Sequence, residues 1–354
     1  GAHGIRRRGE ERRKGEGELG SVCRRGGAMA DKPSRALVLY AADHAALLAG
    51  GGGGKGQLDA FASIASCGFL SVRTPAVNED GGDRNSDSIL ELAQLLDVCD
   101  ALYSVKDGET ARVDPQELVV PKLSERFMGL RAAMVTNCPG VSSFAANLGF
   151  HVFGTEDFAA QSGSGSSSKD TRIIDRAFTL LGFAEWNVQD ASEFDLVFVH
   201  AAMENTASKL GKLGMKTDLN RLDKLVASVM EAAPVGSAVA ARIHVSVILS
   251  YGSATENKEE ACLIVNSSTE TDSDLKLLRP RQSYTMKAGK TLDDVRNHHP
   301  MLLAQWQQGV TRSDLAKEFS FEEFIKRAGN FAMLAERFLH EVAFKLWKAP
   351  KYGA

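Results

Sequence analysis

No Cys-x-x-Cys pair, no His-x-x-x-His spacing and no transmembrane-length apolar run occurs in these 354 residues. Each absence removes a class. The cysteines Cys23, Cys67, Cys99, Cys138 and Cys262 are scattered and odd in number. They suit neither a disulfide framework nor a zinc knuckle, and they fit a reducing, cytoplasmic setting, with organelle targeting left open. No stretch reaches the ~18–20 apolar residues of a membrane span, so no membrane partner is expected. Charge is near balance, with 42 Lys and Arg against 45 Asp and Glu and a formal net charge of −3. That gives no global cationic field for nucleic acid. Two phosphate motifs are missing as well. The run Gly50–Gly54 is followed by Lys55 and Gly56, but Gln57 stands where a P-loop needs Ser or Thr to hold magnesium. A Gly-x-Ser-x-Gly nucleophile elbow is absent.

What is present is an ordinary globular composition, 44% apolar and 25% charged. Residues 1–30 differ: they are rich in Gly, Arg and Glu with almost no apolar periodicity, and read as a disordered leader. Beyond them, short apolar runs alternate with helix-period segments. Ala36–Ala42, Phe69–Arg73, Ala132–Thr136, Val152–Gly154, Asp195–His200, Ala238–Leu249 and Ala261–Val265 read as strands. Segments after Leu58, after Ser88, near Ser142, over Asp170–Leu181 and over Leu219–Ala232 read as helices. Such alternation predicts an α/β fold, with a mainly parallel central sheet and helices on both faces. The predicted core domain is 31–290, with room for a small inserted subdomain at about 100–190. Residues 291–354 read as a C-terminal helical segment packed on the core. There, Ser320 and Glu323 have capping-box spacing ahead of a wide apolar stripe. The stripe predicts an amphipathic helix over 320–347, docked on its own core or offered to a protein partner.

Five segments carry a family resemblance. Gly54–Ala60 (GKGQLDA) leads into a helix. Asn85–Ile89 (NSDSI) places Ser86 and Asp87 at a helix start. Gly129–Thr136 (GLRAAMVT) and Phe194–His200 (FDLVFVH) are strand segments, and Asn220–Asp223 follows in a helix. Together they resemble the alkaline-phosphatase superfamily, nearest to archaeal-type cofactor-independent phosphoglycerate mutases. The resemblance covers about two-thirds of the chain. It implies Ser86 as the counterpart of the phosphoryl-carrying nucleophile, beside helix N–H groups that stabilise an anion. From residues alone, Ser88 and Glu91 explain the same helix start as a capping box.

The resemblance also implies a two-metal site, and the metal-ligand positions are poorly filled. Asp43, with His44 beside it, is the one candidate after the first strand. Asn205 and Lys209 stand where an Asp and a His would follow the 195–200 strand. Ser250 and Tyr251 stand in place of an Asp-His pair. Two-metal phosphoryl transfer needs clustered carboxylates and imidazoles. The reading is therefore a non-catalytic relative acting as a binding or scaffold protein, with no cofactor. One alternative is a divergent phosphohydrolase or phosphomutase using Ser86, with Mn or Zn. Another is a metal-free binder of a phosphorylated small molecule, with Lys55, Lys209 and Arg242 supplying charge and His200 and Asn205 nearby.

Overall fold

The apolar run predicted as the first strand forms β1 (Arg35–Ala41), and every residue in it is buried. Such a strand needs cover on both faces, which a parallel sheet between helix layers provides. The computed structural model describes residues 34–42, 56–74, 84–106, 109–112, 119–160, 168–184, 187–201, 207–251, 280–328 and 331–350, with Gly1 and Leu278 besides. Gly1–Lys32 and Pro33–Ala354 are two units, and the fold lies in the second. The expected leader, the strand at 261–265, Asp43, His44, Lys55 and Asn205 fall outside the described residues.

Seven further strands join β1: β2 (Ser66–Ser71), β3 (Ala132–Val135), β4 (His151–Phe153), β5 (Leu196–His200), β6 (Ile243–Leu249), β7 (Met301–Trp306) and β8 (Ala332–Leu334). Their spatial order is β8-β2-β7-β6-β1-β5-β3-β4. Strand β7 alone runs antiparallel to both neighbours, β6 and β2. Strands β3 and β4 come from within residues 100–190, so that segment contributes directly to the central sheet.

Alternate residues of β1 feed two cores. Leu37, Leu39 and Ala41 pack under α1 (Gln57–Ile64), α4 (Thr155–Ala160), α5 (Lys169–Leu180), α6 (Ala207–Ala232) and α7 (Phe321–Ala328). Ala36, Val38 and Tyr40 pack under α2 (Arg84–Leu95), α3 (Pro139–Asn147) and α8 (Phe338–Lys345). The predicted three-layer α/β architecture is the observed one.

The C-terminal stripe needs a correction. It is not one helix over 320–347 but α7, then β8, a 3₁₀ turn at Ala335–Arg337, and α8. The sheet edge overrides the helical period. Phe69 N–H donates to the Phe331 carbonyl at 2.9 Å, and Ala332–Leu334 then pair with Phe69–Ser71. Ser320 does cap α7, its hydroxyl accepting from Glu323 N–H at 3.2 Å. The reciprocal half of the box is replaced, because Glu323 takes Lys317 N–H and pairs with Arg327.

One polar island lies inside the second core. His244 is fully buried, with Nε2 3.2 Å from the Gln305 amide nitrogen and 3.5 Å from the Ser246 hydroxyl. Burial, and then Lys345, hold its imidazole well below the ordinary histidine range. An unfolded imidazole takes up a proton near pH ~6.5, and the folded one resists it. The stability this group contributes is present above that pH and is lost as pH falls, by up to ~1.4 kcal/mol per unit. Urea unfolding should therefore show stability falling between pH 6.5 and 5, and His244→Gln should flatten that part of the profile. A wild-type profile flat over this range would refute the assignment.

Candidate functional site

In open α/β sheets ligands bind outside the carboxyl ends of the parallel strands. Here that edge carries Thr136 after β3, His200 at the end of β5, and Ser250–Tyr251 after β6. Strand β7 starts from the same edge, since Leu302 pairs with Leu249, so His298 and His299 arrive there too.

Two stacked ring pairs fill much of this edge. Tyr40 and His200 stack with centroids 5.6 Å apart, and Tyr251 stacks on His299 at 4.8 Å. His200 Nδ1 lies 3.0 Å from the Thr136 hydroxyl, which also accepts the Cys138 N–H at 3.1 Å. The Thr136 hydroxyl thus ties the His200 ring to the turn that opens α3. Burial pushes the Tyr251 phenol up to about 12. Burial, then His298 and Arg296, push the His299 imidazole down to about 4. Both rings are thus neutral at pH 7.

Beneath them lies a charge pair that sequence reasoning missed. Glu91 and Arg296 are each 4% exposed in their side chains and lie 3.6 Å apart. Glu91 also accepts from the Tyr40 hydroxyl at 3.3 Å, and Arg296 donates to the His299 carbonyl at 2.8 Å. This corrects the capping-box reading of Ser88 and Glu91. Helix α2 begins at Arg84, four residues before Ser88, and Glu91 turns into the core. A glutamate three residues after a serine satisfies the cap pattern and a buried ion pair equally well.

The other predicted site residues divide by location. Ser86 and Asp87 lie in the first turn of α2. The next turn carries Ile89, whose Cδ1 would lie only 3.2 Å from a Cβ at Gly140, near the start of α3. That contact sets the α2 start beside the β3 end. Lys209 lies in the first turn of α6, the helix that follows β5. Arg242 belongs to the wrong end. It directly precedes β6 and its carbonyl accepts from Arg35 N–H, where β1 begins. With seven residues in β6, at ~3.3 Å each, it sits about 20 Å from the strand-end edge.

The segment after Lys55 has a structural account, while the glycine run 50–54 lies outside the described residues. The N-terminus of α1 holds a carboxylate from the chain itself: Asp223 of α6 accepts the Leu58 N–H at 2.9 Å. A Cβ at Gly56 would lie 2.8 Å from that carboxylate oxygen, so the close approach needs glycine. The described part of the first resemblance segment, 56–60, thus meets 220–223 as a helix cap.

Among the described residues no group of three or more His, Cys, Asp or Glu side chains could hold a metal ion. The described groups at the strand ends are two stacked ring pairs, His298, two hydroxyls and an arginine paired with a glutamate. That donor set does not fit two divalent cations, which need several anionic oxygens and open imidazole nitrogens.

The chain is similar to the PH0037 protein of Pyrococcus horikoshii, at 14% identity over 91% of this chain and 99% of that one, with a TM-score of 0.50. The fold is alkaline-phosphatase-like. A cofactor-independent phosphoglycerate mutase from Thermoplasma acidophilum also matches, at 11% identity, 87% and 98% coverage and a TM-score of 0.42. So does a Mg-bound mutant of the alkaline phosphatase from the Antarctic bacterium TAB5, at 10% identity, 90% and 99% coverage and 0.43. No family model and no curated protein matches the chain. Identities this low speak to fold and not to activity. No helix among the described residues is long and apolar enough to cross a membrane.

Proposed function

We propose that this chain is a non-catalytic alkaline-phosphatase-like protein, cytoplasmic, that binds a ligand at its strand-end edge without divalent metal. One observation carries the reading. The buried Arg296 guanidinium, paired with Glu91, is a fixed organic cation at the edge where a two-metal enzyme concentrates carboxylates. The pairing engages the Glu91 carboxylate with an arginine rather than leaving it to a divalent cation. The neutral Tyr251–His299 stack supports it, since a phenol with a pKa near 12 is a poor ligand at pH 7. A phosphorylated small molecule is the ligand class favoured by the Ser86 helix start together with Lys209 at the head of α6. A scaffold role through the surface of 320–347 belongs to the same reading.

The competing reading is a metal-dependent phosphohydrolase or phosphomutase. Its support is the position of Ser86, in the first turn of a 12-residue helix beside the β3 end. Elemental analysis after incubation with Mn²⁺ and Zn²⁺, paired with an aryl phosphate hydrolysis assay, separates the two. The non-catalytic reading expects substoichiometric metal and no turnover above buffer. Stoichiometric metal with turnover that disappears in Ser86→Ala would overturn it.

A further inference from the structure

We infer that residues 281–300 form an ion-clamped strap whose anchorage sets the position of Arg296 and His299 at the strand ends. The strap begins as a one-turn helix, Gln282–Thr285, whose Tyr284 carbonyl accepts from the Ser71 hydroxyl at 2.9 Å. It continues as the ribbon Met286–Lys287 with Lys290–Thr291. It then lies along the end of β2: Thr74 N–H donates to the Asp294 carbonyl at 2.8 Å and Arg296 N–H to the Val72 carbonyl at 2.9 Å. It ends at His299 and Pro300, where β7 starts.

The clamp is dense. Lys287 Nζ reaches three carboxylates, Asp97 at 3.1 Å, Asp100 at 2.8 Å and Glu336 at 2.8 Å. Arg73 joins Asp294 at 2.9 Å, Asp100 at 2.5 Å and Glu336 at 3.0 Å. Glu336 is 2% exposed, so its charge is tolerated only because two cations meet it. Asp97 accepts from Arg126 and His340 as well, at 3.3 and 2.9 Å. Three other segments therefore hold the strap: the end of β2, the end of α2 and the 335–340 turn. Ion pairs sharing partners in this way hold side chains that isolated surface pairs would not.

Only one residue, Val295, separates Asp294 in the clamp from Arg296, buried against Glu91. A strap residue displaced at the clamp therefore displaces Arg296 against Glu91, and through the 2.8 Å bond to the His299 carbonyl it displaces the Tyr251 stack. The inference stands whatever the strand-end edge binds.

The test is amide hydrogen exchange and an NMR titration of His299 in Lys287→Gln and in Asp100→Asn. Asp100 is 59% exposed, so its neutralisation leaves no buried charge and the fold survives if Lys287→Gln does not. The expected result is at least tenfold faster exchange at Leu292 and Arg296 N–H, with Val38 N–H in β1 unchanged. The His299 midpoint should move up from about 4 toward the ordinary range. Unchanged strap exchange and an unchanged His299 midpoint in both variants would overturn the inference. Equal acceleration of Val38 would also overturn it, by showing the clamp to be general ballast for the fold.

Discussion

Gly68→Ala is expected to cost the folded state about 3 kcal/mol, the upper end of the usual penalty for overpacking a core. Strand β2 passes directly under Phe331. A Cβ at Gly68 would fall 1.9 Å from the Phe331 ring and 2.8 Å from its backbone carbonyl oxygen. The ring could rotate away, but the carbonyl is bonded to Phe69 N–H at 2.9 Å and cannot move without releasing the edge. The cost should therefore be only partly recovered in the double variant Gly68→Ala/Phe331→Ala, measured by urea unfolding. A single-variant loss below about 1 kcal/mol would mean that the 331–334 edge shifts easily and that β8 is a loose attachment.

Arg296→Met is expected to cost a similar 3–5 kcal/mol for a different reason. It removes the cation that meets the Glu91 carboxylate, which is 4% exposed and also accepts from the Tyr40 hydroxyl. Replacing both members, as in Arg296→Met/Glu91→Leu, should recover most of the loss, because a buried pair is worth little against well-packed apolar groups. The readout is the coupling energy of the double-mutant cycle. If the two single losses simply add, the 3.6 Å pair carries no mutual energy, and Arg296 is held by its His299 and Val72 backbone contacts alone.

Much of the sheet was legible because buried parallel strands are short, nearly unbroken apolar runs. Ala132–Val135, His151–Phe153 and Leu196–His200 match their predicted segments closely, whereas the strand expected over 238–249 starts only at Ile243, after a turn. Helix α5 was legible from its period, and α6 was underestimated because its first turns lack the apolar face that marks 219–232. Strand β7 was not legible. Six apolar-rich residues after a proline can be a strand or part of a helix, and only neighbours decide. The same ambiguity hid β8 inside a helical stripe. Of the site, the strand-end residues His200, Ser250 and Tyr251 could be named because they follow predicted strands. That rule would also have found Thr136 and rejected Arg242, which precedes its strand. Glu91 and Arg296 meet across more than 200 residues of sequence, and no local pattern announces such a pair.

The antiparallel strand β7 has a consequence for how the chain comes to be folded on the ribosome. Strand β2 is made early, at residues 66–71, yet among the described residues its sheet neighbours are β7 at 301–306 and β8 at 332–334. Until more than 230 further residues have been synthesised, its backbone N–H and C=O groups have no ladder to join. The half-sheet β6-β1-β5-β3-β4 can assemble before then, while β2 waits as an apolar segment with two open edges. Closing so long a loop is slow, and an open apolar strand invites pairing with another nascent chain. The last fifth of this protein thus completes its first fifth, and a message truncated before Met301 would encode a chain that keeps a permanently exposed strand.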